Sequence, residues 1–314
     1  MRGGWAGLTP TRHPYLIGHF SRYPDARMLE RNATPMAHAD NPAADALLDK
    51  EFPVLDKGFV RLVDYLGGDD RIVQSARVSY GAGTKTVRED KGLIDYLMRH
   101  LHTSPFEQVV FTFHVKMPIF VARQWVRHRT ARMNEISGRY SVMRDEFYLP
   151  DVDMLHFQSE TNKQGRNEES EMPLADREKI HDTLEARNKE TYANYEAMLE
   201  SGLSRELARI DLPLSLYTEF YWQIDLHNLF HFLNLRMDSH AQLEIRLFAE
   251  KMAEIVKVVC PFAYESFERN ILHGARFTAD EIQAVKNLLD GKEHGLKGRV
   301  LREFQAKLGL EEPE

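Results

Sequence analysis

The sequence predicts an α+β fold in which helices dominate and a few strands fall in the first half. Three observations carry this. Residues Gln108 to Met117 alternate cleanly: Val109, Phe111, Phe113, Val115 and Met117 share one face, and Thr112, His114 and Lys116 share the other. That is the pattern of a half-buried strand. Later stretches, above all Arg177 to Glu200 and the run ending at Cys260, follow helical spacing instead. The chain also lacks a Gly-x-Gly-x-x-Gly segment, which argues against a Rossmann crevice.

The elements follow in order. Residues 1–50 are rich in Pro, Ala, His and Arg, with no sustained period and no apolar core of a secretory signal; a disordered extension is expected there. Val54 to Leu66 reads as a short strand and a helix closed by Gly67-Gly68. Asp70 to Tyr80 is a helix with Ile72, Val73 and Ala76 inward, broken by Gly81-Ala-Gly83. Asp90 to Leu101 is a third helix, and His102 to Glu107 is a turn. After the alternating strand, Pro118 opens a helix through Phe120, Val121, Trp125 and His128; from Thr130 the period fades into a loop marked by Asn134 and Gly138. Tyr140 to Leu149 is expected as a strand, and the polar stretch from Asp151 to Met172 as a mobile surface loop. Arg177 to Glu200 is a long helix; Ser204 caps a short one that carries Arg209 and ends before Pro213. Leu226 to Leu235 is helical, Ser239 caps the last long helix, and Pro261 stops it. The segment from Phe277 onward is charged and helical in pattern.

Composition narrows the function. The chain has 314 residues, 43% hydrophobic and 28% charged, as in an ordinary soluble domain. Its net charge of −7 argues against a general nucleic-acid coat. No apolar run approaches the ~20 residues that span a membrane. The single cysteine, Cys260, rules out an internal disulfide framework and suits a reducing cytoplasm; before Pro261 it reads as a buried structural thiol.

Two constellations stand out. The stretch from Arg123 to Ser141 holds Arg123, Arg127, Arg129, Arg132 and Arg139 among His128, Asn134, Glu135 and Ser137. Forked guanidinium groups bind phosphate bidentately, and a Ser hydroxyl and backbone N–H groups complete such a cradle. A carboxylate among them suits a ribose hydroxyl, so the stretch suits a nucleotide; a solvated basic helix face is the alternative. In the second, Asp225 to His240, His227 and His231 lie four apart on one helix face. That spacing suits a metal pair, but no Glu sits between them as a base, and ordinary polar histidines are the alternative.

Arg127-His-Arg129, seven residues, then Ser137 resembles the R-H-R-x7-S signature of flavin-dependent thymidylate synthases. The likeness extends through Arg123-Gln-Trp and Asn134-Glu-x-Ser-Gly-Arg-Tyr140 and continues at intervals from about Val54 to about Phe267. It implies a family domain over 54–268, after the extension of 1–50 and before a charged helical tail of 269–314. The implied fold is like the thymidylate synthase-complementing proteins, a small, mostly antiparallel sheet with a flanking helix bundle. The implied reaction is reductive methylation of dUMP to dTMP, with 5,10-methylenetetrahydrofolate as carbon donor and FAD and NADPH as reductants. The implied assembly is a cytoplasmic homotetramer with active sites shared between subunits.

Carried over by position, the resemblance implies a dUMP site of Gln124, Arg127, Glu135, Ser137, Gly138, Arg139, Arg209 and Arg236, with Arg236 polarising the pyrimidine. It implies an FAD site of Ser104, Arg127, His128, Arg129, Glu135, Asp225, Leu226, His227 and His231, with His102 near the folate and flavin rings. Ser104 stands where the family usually has Thr and keeps the hydroxyl; His231 stands where some relatives have Asn. Lys-Gln-Gly-Arg166 resembles a loop that family members carry near the flavin. Two other readings remain at this point: an RNA- or nucleotide-binding module without flavin, and a His-dependent metal hydrolase.

Overall fold

The computed structural model describes residues 41–78, 87–160 and 165–310. The expectations for residues 1–40, the break at Gly81–Gly83 and the tip of the Lys-Gln-Gly-Arg166 loop lie outside these. Residues 41–50 do not continue a disordered extension. Asn41 caps the short helix α1 (Pro42–Asp45), Ala44 is fully buried, and Leu48 bridges to Leu62.

Next come strands β1 (Glu51–Val54) and β2 (Gly58–Leu66), where the sequence suggested a strand and a helix. Short apolar runs fit both periods, and here pairing decides: β1 and β2 form a hairpin, with Val54 opposite Gly58. An added Cβ at Gly58 would meet the carbonyl oxygens of Lys116 and Val54 at 2.7 Å, so this turn needs glycine. Helices α2 (Asp69–Arg77) and α3 (Val87–Arg99) follow, then β3 (Val110–Pro118), α4 (Ile119–Trp125) and β4 (Arg132–Glu135).

The region expected as a mobile loop holds a two-stranded ribbon, β5 (His156–Gln158) with β6 (Arg166–Glu171). The stretch expected as a strand, Tyr140 to Leu149, is irregular, with one bridge from Phe147 to Leu216. Then come α5 (Leu174–Glu200), α6 (Arg205–Ala208), β7 (Tyr217–Asp225), α7 (Leu226–Arg236), α8 (Leu243–Val259), α9 (Pro261–Phe267), α10 (Ala279–Leu289) and α11 (Gly298–Lys307). Gln242 rather than Ser239 precedes α8, and Pro261 starts α9 as well as ending α8.

The main sheet has the order β1-β2-β3-β7-β4, with every neighbouring pair antiparallel. One face buries Phe111, Phe113, Val115, Phe220, Trp222 and Ile224 under α8 and its neighbours α4, α7 and α9. A second, smaller core under α5 holds Met143, Phe147, Tyr195, Ala208 and Leu216. Cys260 is completely buried, and burial pushes its thiol pKa well up, as a structural thiol requires. Among the described residues no helix is long and apolar enough to cross a membrane.

Candidate functional site

Trp125, at the end of α4, is fully buried, with ring centroids 5.3 Å from Trp222, 4.7 Å from Phe232 and 6.1 Å from Phe248. Truncating such a residue costs about 3–5 kcal/mol, so this anchor fixes where the next residues emerge. Arg127 and Arg129 follow it and are exposed, their guanidinium groups with no hydrogen-bond or ion-pair partner among the described residues. His128 between them turns inward. Its ring lies edge-on to Phe232 at 4.8 Å and 6.0 Å from His231.

His128 Nε2 accepts a hydrogen bond from Arg236 Nε at 3.0 Å. Burial, then the Arg236 charge, then His231 push its pKa down to about 4, so at neutral pH the ring is uncharged with its proton on Nδ1. Arg236, the last residue of α7, also donates to the Gln124 carbonyl at 3.4 Å. Its partners are therefore neutral, and burial lowers the guanidinium pKa from its ordinary value. Asp238 is instead engaged by His240, through the backbone N–H at 2.8 Å and Nδ1 at 2.9 Å. Gln124 donates to Gln242, and these two with Arg236, Asp238 and His240 line a cavity of about 390 Å³.

A second group hangs from β4. The sequence expected a loop here, but Arg132 to Glu135 pair with β7 as a fully exposed edge strand. Glu135 Oε1 accepts from Thr218 Oγ1 at 2.6 Å, which leaves its other oxygen free for a ligand. In the following loop Ser137 Oγ accepts the Arg139 N–H at 3.3 Å, and Arg139 pairs with Glu206 at 3.4 Å. No base activates Ser137 among the described residues, so it is a binding hydroxyl. Gly138 is buried: a Cβ there would lie 3.0 Å from Met143 Sδ and 3.1 Å from Arg209 Cδ. Arg209 thus packs its stem on the loop, and its exposed guanidinium has no partner among the described residues. The loop is pinned from behind, where Tyr195 OH accepts the Met143 N–H at 3.1 Å and Tyr192 OH donates to the Met143 carbonyl at 2.9 Å.

A third group surrounds a cavity of about 580 Å³ lined by His102, Thr103, His227, His231 and Asn234. Thr103 lines it and Ser104 does not, although the sequence favoured Ser104. Asp225 and Leu226, at the start of α7, also have partners within the chain. Asp225 caps α7, its two oxygens taken by Asn228 N at 3.0 Å and Nδ2 at 2.8 Å. Leu226 is fully buried, and its N–H donates to the Val109 carbonyl at 2.8 Å. Among the described residues no three His, Cys, Asp or Glu side chains converge to hold a metal.

The contact of His128 with His231 joins the first and third groups. Among the described residues no hydrogen bond or ion pair joins the second group, Glu135 to Arg139 with Arg209, to Arg236. Sequence reasoning missed Gln242, Thr218, Thr103 and Asn234. Thr218 was open to discovery, because it alternates with Phe220, Trp222 and Ile224 along β7; Gln242 lies in no motif. The residues suit the flavin dinucleotide that the resemblance implies. Two unpaired guanidinium groups, at Arg127 and Arg129, can take a pyrophosphate, and the adjoining cavity offers imidazole, hydroxyl and amide edges to a ring system.

Comparison with known proteins gives the same direction. The thymidylate synthase complementing protein family matches residues 61–262, and the thymidylate synthase ThyX C-terminal domain matches residues 275–312, a segment the sequence motifs left uncovered. A flavin-dependent thymidylate synthase of Treponema denticola is 63% identical over 261 residues, 83% of this chain and 98% of that protein. One from Thermus thermophilus is 56% identical over 263 residues, 82% of this chain and 95% of its own. The crystal structure of a UMP/dUMP methylase, PolB from Streptomyces cacaoi bound with 5-Br dUMP, superposes with a TM-score of 0.64 at 32% identity, covering 70% of this chain and 99% of that one.

Proposed function

The chain belongs to the thymidylate synthase complementing protein family, and from that premise we propose that it is a flavin-dependent thymidylate synthase that methylates dUMP to dTMP. The observation that carries this reading is the set of exposed guanidinium groups on Arg127, Arg129 and Arg209, none with a carboxylate partner among the described residues, with Arg209 packed against Gly138. A protein gains little from leaving such charges unpaired unless an anion completes them.

The residues divide the work. Arg127, Ser137, Arg139 and Arg209 bind the dUMP phosphate, and the free oxygen of Glu135 takes a ribose hydroxyl. Gln124 and Arg236 meet the pyrimidine. His128 holds the Arg236 guanidinium through a neutral acceptor, so the positive charge remains for the ligand. Placed against O2 and N3, that charge favours the N3-deprotonated ring, whose added electron density makes C5 the nucleophile toward the carbon unit. Arg129, His102, Thr103, His227 and His231, with Arg127, hold FAD. When bound, the flavin supplies the reducing equivalents, drawn from NADPH, while 5,10-methylenetetrahydrofolate supplies the carbon.

Among the described residues no hydrogen bond or ion pair joins Ser137, Arg139 or Arg209 to Arg236. We therefore assign them to sites completed between protomers of a homotetramer. At dUMP well below the raised KM, mixing an Arg236→Ala protein with an Arg209→Ala protein should give more activity than either shows alone; no gain after subunit exchange would place both in one protomer's site. The first test of the function is the visible spectrum of the purified protein before and after anaerobic NADPH with dUMP. Flavin bands that bleach, followed by dTMP formation, support the reading. A protein that takes up no FAD and makes no dTMP would leave the arginines as an anion site of another kind.

A further inference from the structure

The cavity of about 580 Å³ has a wall that none of the sequence motifs reaches. Beyond α9 the chain makes a π-turn, Glu268–Leu272, and then runs without regular structure to α10. The π-turn is pinned by Asp95, whose Oδ1 accepts from Asn270 Nδ2 at 2.9 Å, from Ser266 Oγ at 3.0 Å and from Arg269. Burial pushes the Asp95 carboxyl up, but these hydrogen bonds outweigh it and hold the pKa below its usual value. The far end is anchored too. The Phe277 ring packs edge-on to Phe304 at 6.2 Å, and Thr278 and Glu281 form a capping box at the start of α10. Glu281 in turn accepts from Lys307 of α11 at 2.6 Å.

Arg276 stands between these two anchors and lines the same cavity as His102, His227 and His231. It is exposed and has no partner among the described residues. Among the described lining residues it is the one Lys or Arg, and the one carboxylate there, Asp238, is committed to His240. It also falls at the start of the C-terminal segment, 275–312, outside the match at 61–262 that contains every other proposed site residue.

We infer that Arg276 binds the anionic tail of a co-substrate whose ring system shares this cavity with the flavin. The inference rests on the function proposed above. The shared chemistry is a carboxylate or phosphate gripped by a free guanidinium. Two co-substrates carry it: the glutamyl carboxylates of the folate and the phosphates of the nicotinamide dinucleotide. In this role α10 and α11 are a clasp that sets the position of one cation at the mouth of the cavity.

The test uses the full chain with Arg276→Ala, Arg276→Lys and, as a control on the same C-terminal segment, Lys297→Ala. Calorimetric titration of the FAD-free protein with monoglutamyl and polyglutamyl tetrahydrofolate and with NADPH gives affinities that do not depend on turnover. Arg276→Ala should weaken one of these ligands roughly three- to tenfold, the size expected for a charged hydrogen bond open to solvent. Its dependence on salt should flatten. Arg276→Lys should recover part of the loss, and Lys297→Ala should lose nothing. Loss confined to polyglutamyl folate assigns a carboxylate, and loss confined to NADPH assigns a phosphate. Unchanged affinity for every ligand overturns the inference. Equal losses for all, with a lower melting temperature, also overturn it by making Arg276 structural. A wild type that forms no dTMP would defeat the proposed function, and is read from a separate assay.

Discussion

The arginines near Glu244 and Asp95 and those at the end of α4 carry one side chain into opposite surroundings. Arg166 donates to the buried Glu244 at 2.6 Å, and Tyr148 OH joins the same carboxylate at 3.3 Å. Arg77 pairs with Asp90, and Arg269 with Asp95. Arg127, Arg129 and Arg209 have no such partner among the described residues, and Arg236 has only neutral ones. The first set is neutralised by the protein and serves the fold. The second is left positive, at some cost in self-repulsion, and serves a ligand that brings its own negative charge. The contrast predicts where each substitution will be felt.

The largest effect belongs to Arg236. Arg236→Ala should keep bound flavin and lose roughly a hundredfold or more in kcat for dTMP formation, as loss of a donor to developing charge does. Near-normal turnover would remove Arg236 from the mechanism. Arg127→Ala and Arg209→Ala should act on binding instead, raising KM for dUMP about tenfold to a hundredfold, the range for one charge-assisted hydrogen bond. Their melting temperatures should hold or rise slightly, since an unpaired charge is removed. A fall of several degrees in either would move that arginine to the structural set.

Glu244→Ala tests the other set. The side chain of Glu244 is 5% exposed and that of Arg166 22%, so the variant strands a largely buried guanidinium. Losing one partner of a buried pair costs up to about 3–5 kcal/mol; with Arg166 partly wet, about 2 kcal/mol is expected, or a midpoint lower by about 3 °C. Unchanged thermal unfolding would mean that Arg166 finds water at no cost.

The fold was readable where one face of an element is buried. Phe111, Phe113 and Val115 announced β3, and Leu226 to Arg236 announced α7. β4 was unreadable because all four of its residues are exposed, so its strand state depends on pairing with β7 and leaves no apolar pattern. β7 itself shows burial alternating through Thr218, Phe220, Trp222 and Ile224, and the pattern was there to be found. The site divided the same way. Arg127, Ser137 and Arg236 stand in motifs, whereas Gln242 and Arg276 enter through the packing of distant segments, which spacing along the chain cannot report.

The finest distinction is at His128, the hinge between the two kinds of surroundings, since it is half-buried like a core residue yet faces only cations and neutral groups. Its ordinary pKa of 6.5 falls to about 4 in the fold, with burial the first cause, Arg236 the second and His231 the third. The unfolded chain therefore takes up this proton more readily than the folded one. The sign follows: the contribution to stability is complete above pH 6.5, shrinks as pH falls, and is gone below about pH 4. Allowing for solvent screening at a half-exposed ring, it amounts to about 1 kcal/mol. Denaturant melts from about pH 7 down to about pH 5 should show this decline, and His128→Gln, which keeps an acceptor for Arg236, should make it shallower. Parallel declines in the two proteins would show that burial and the Arg236 charge do not hold the His128 ring neutral. The free guanidinium groups would then lack the neutral acceptor that holds Arg236 toward the ligand.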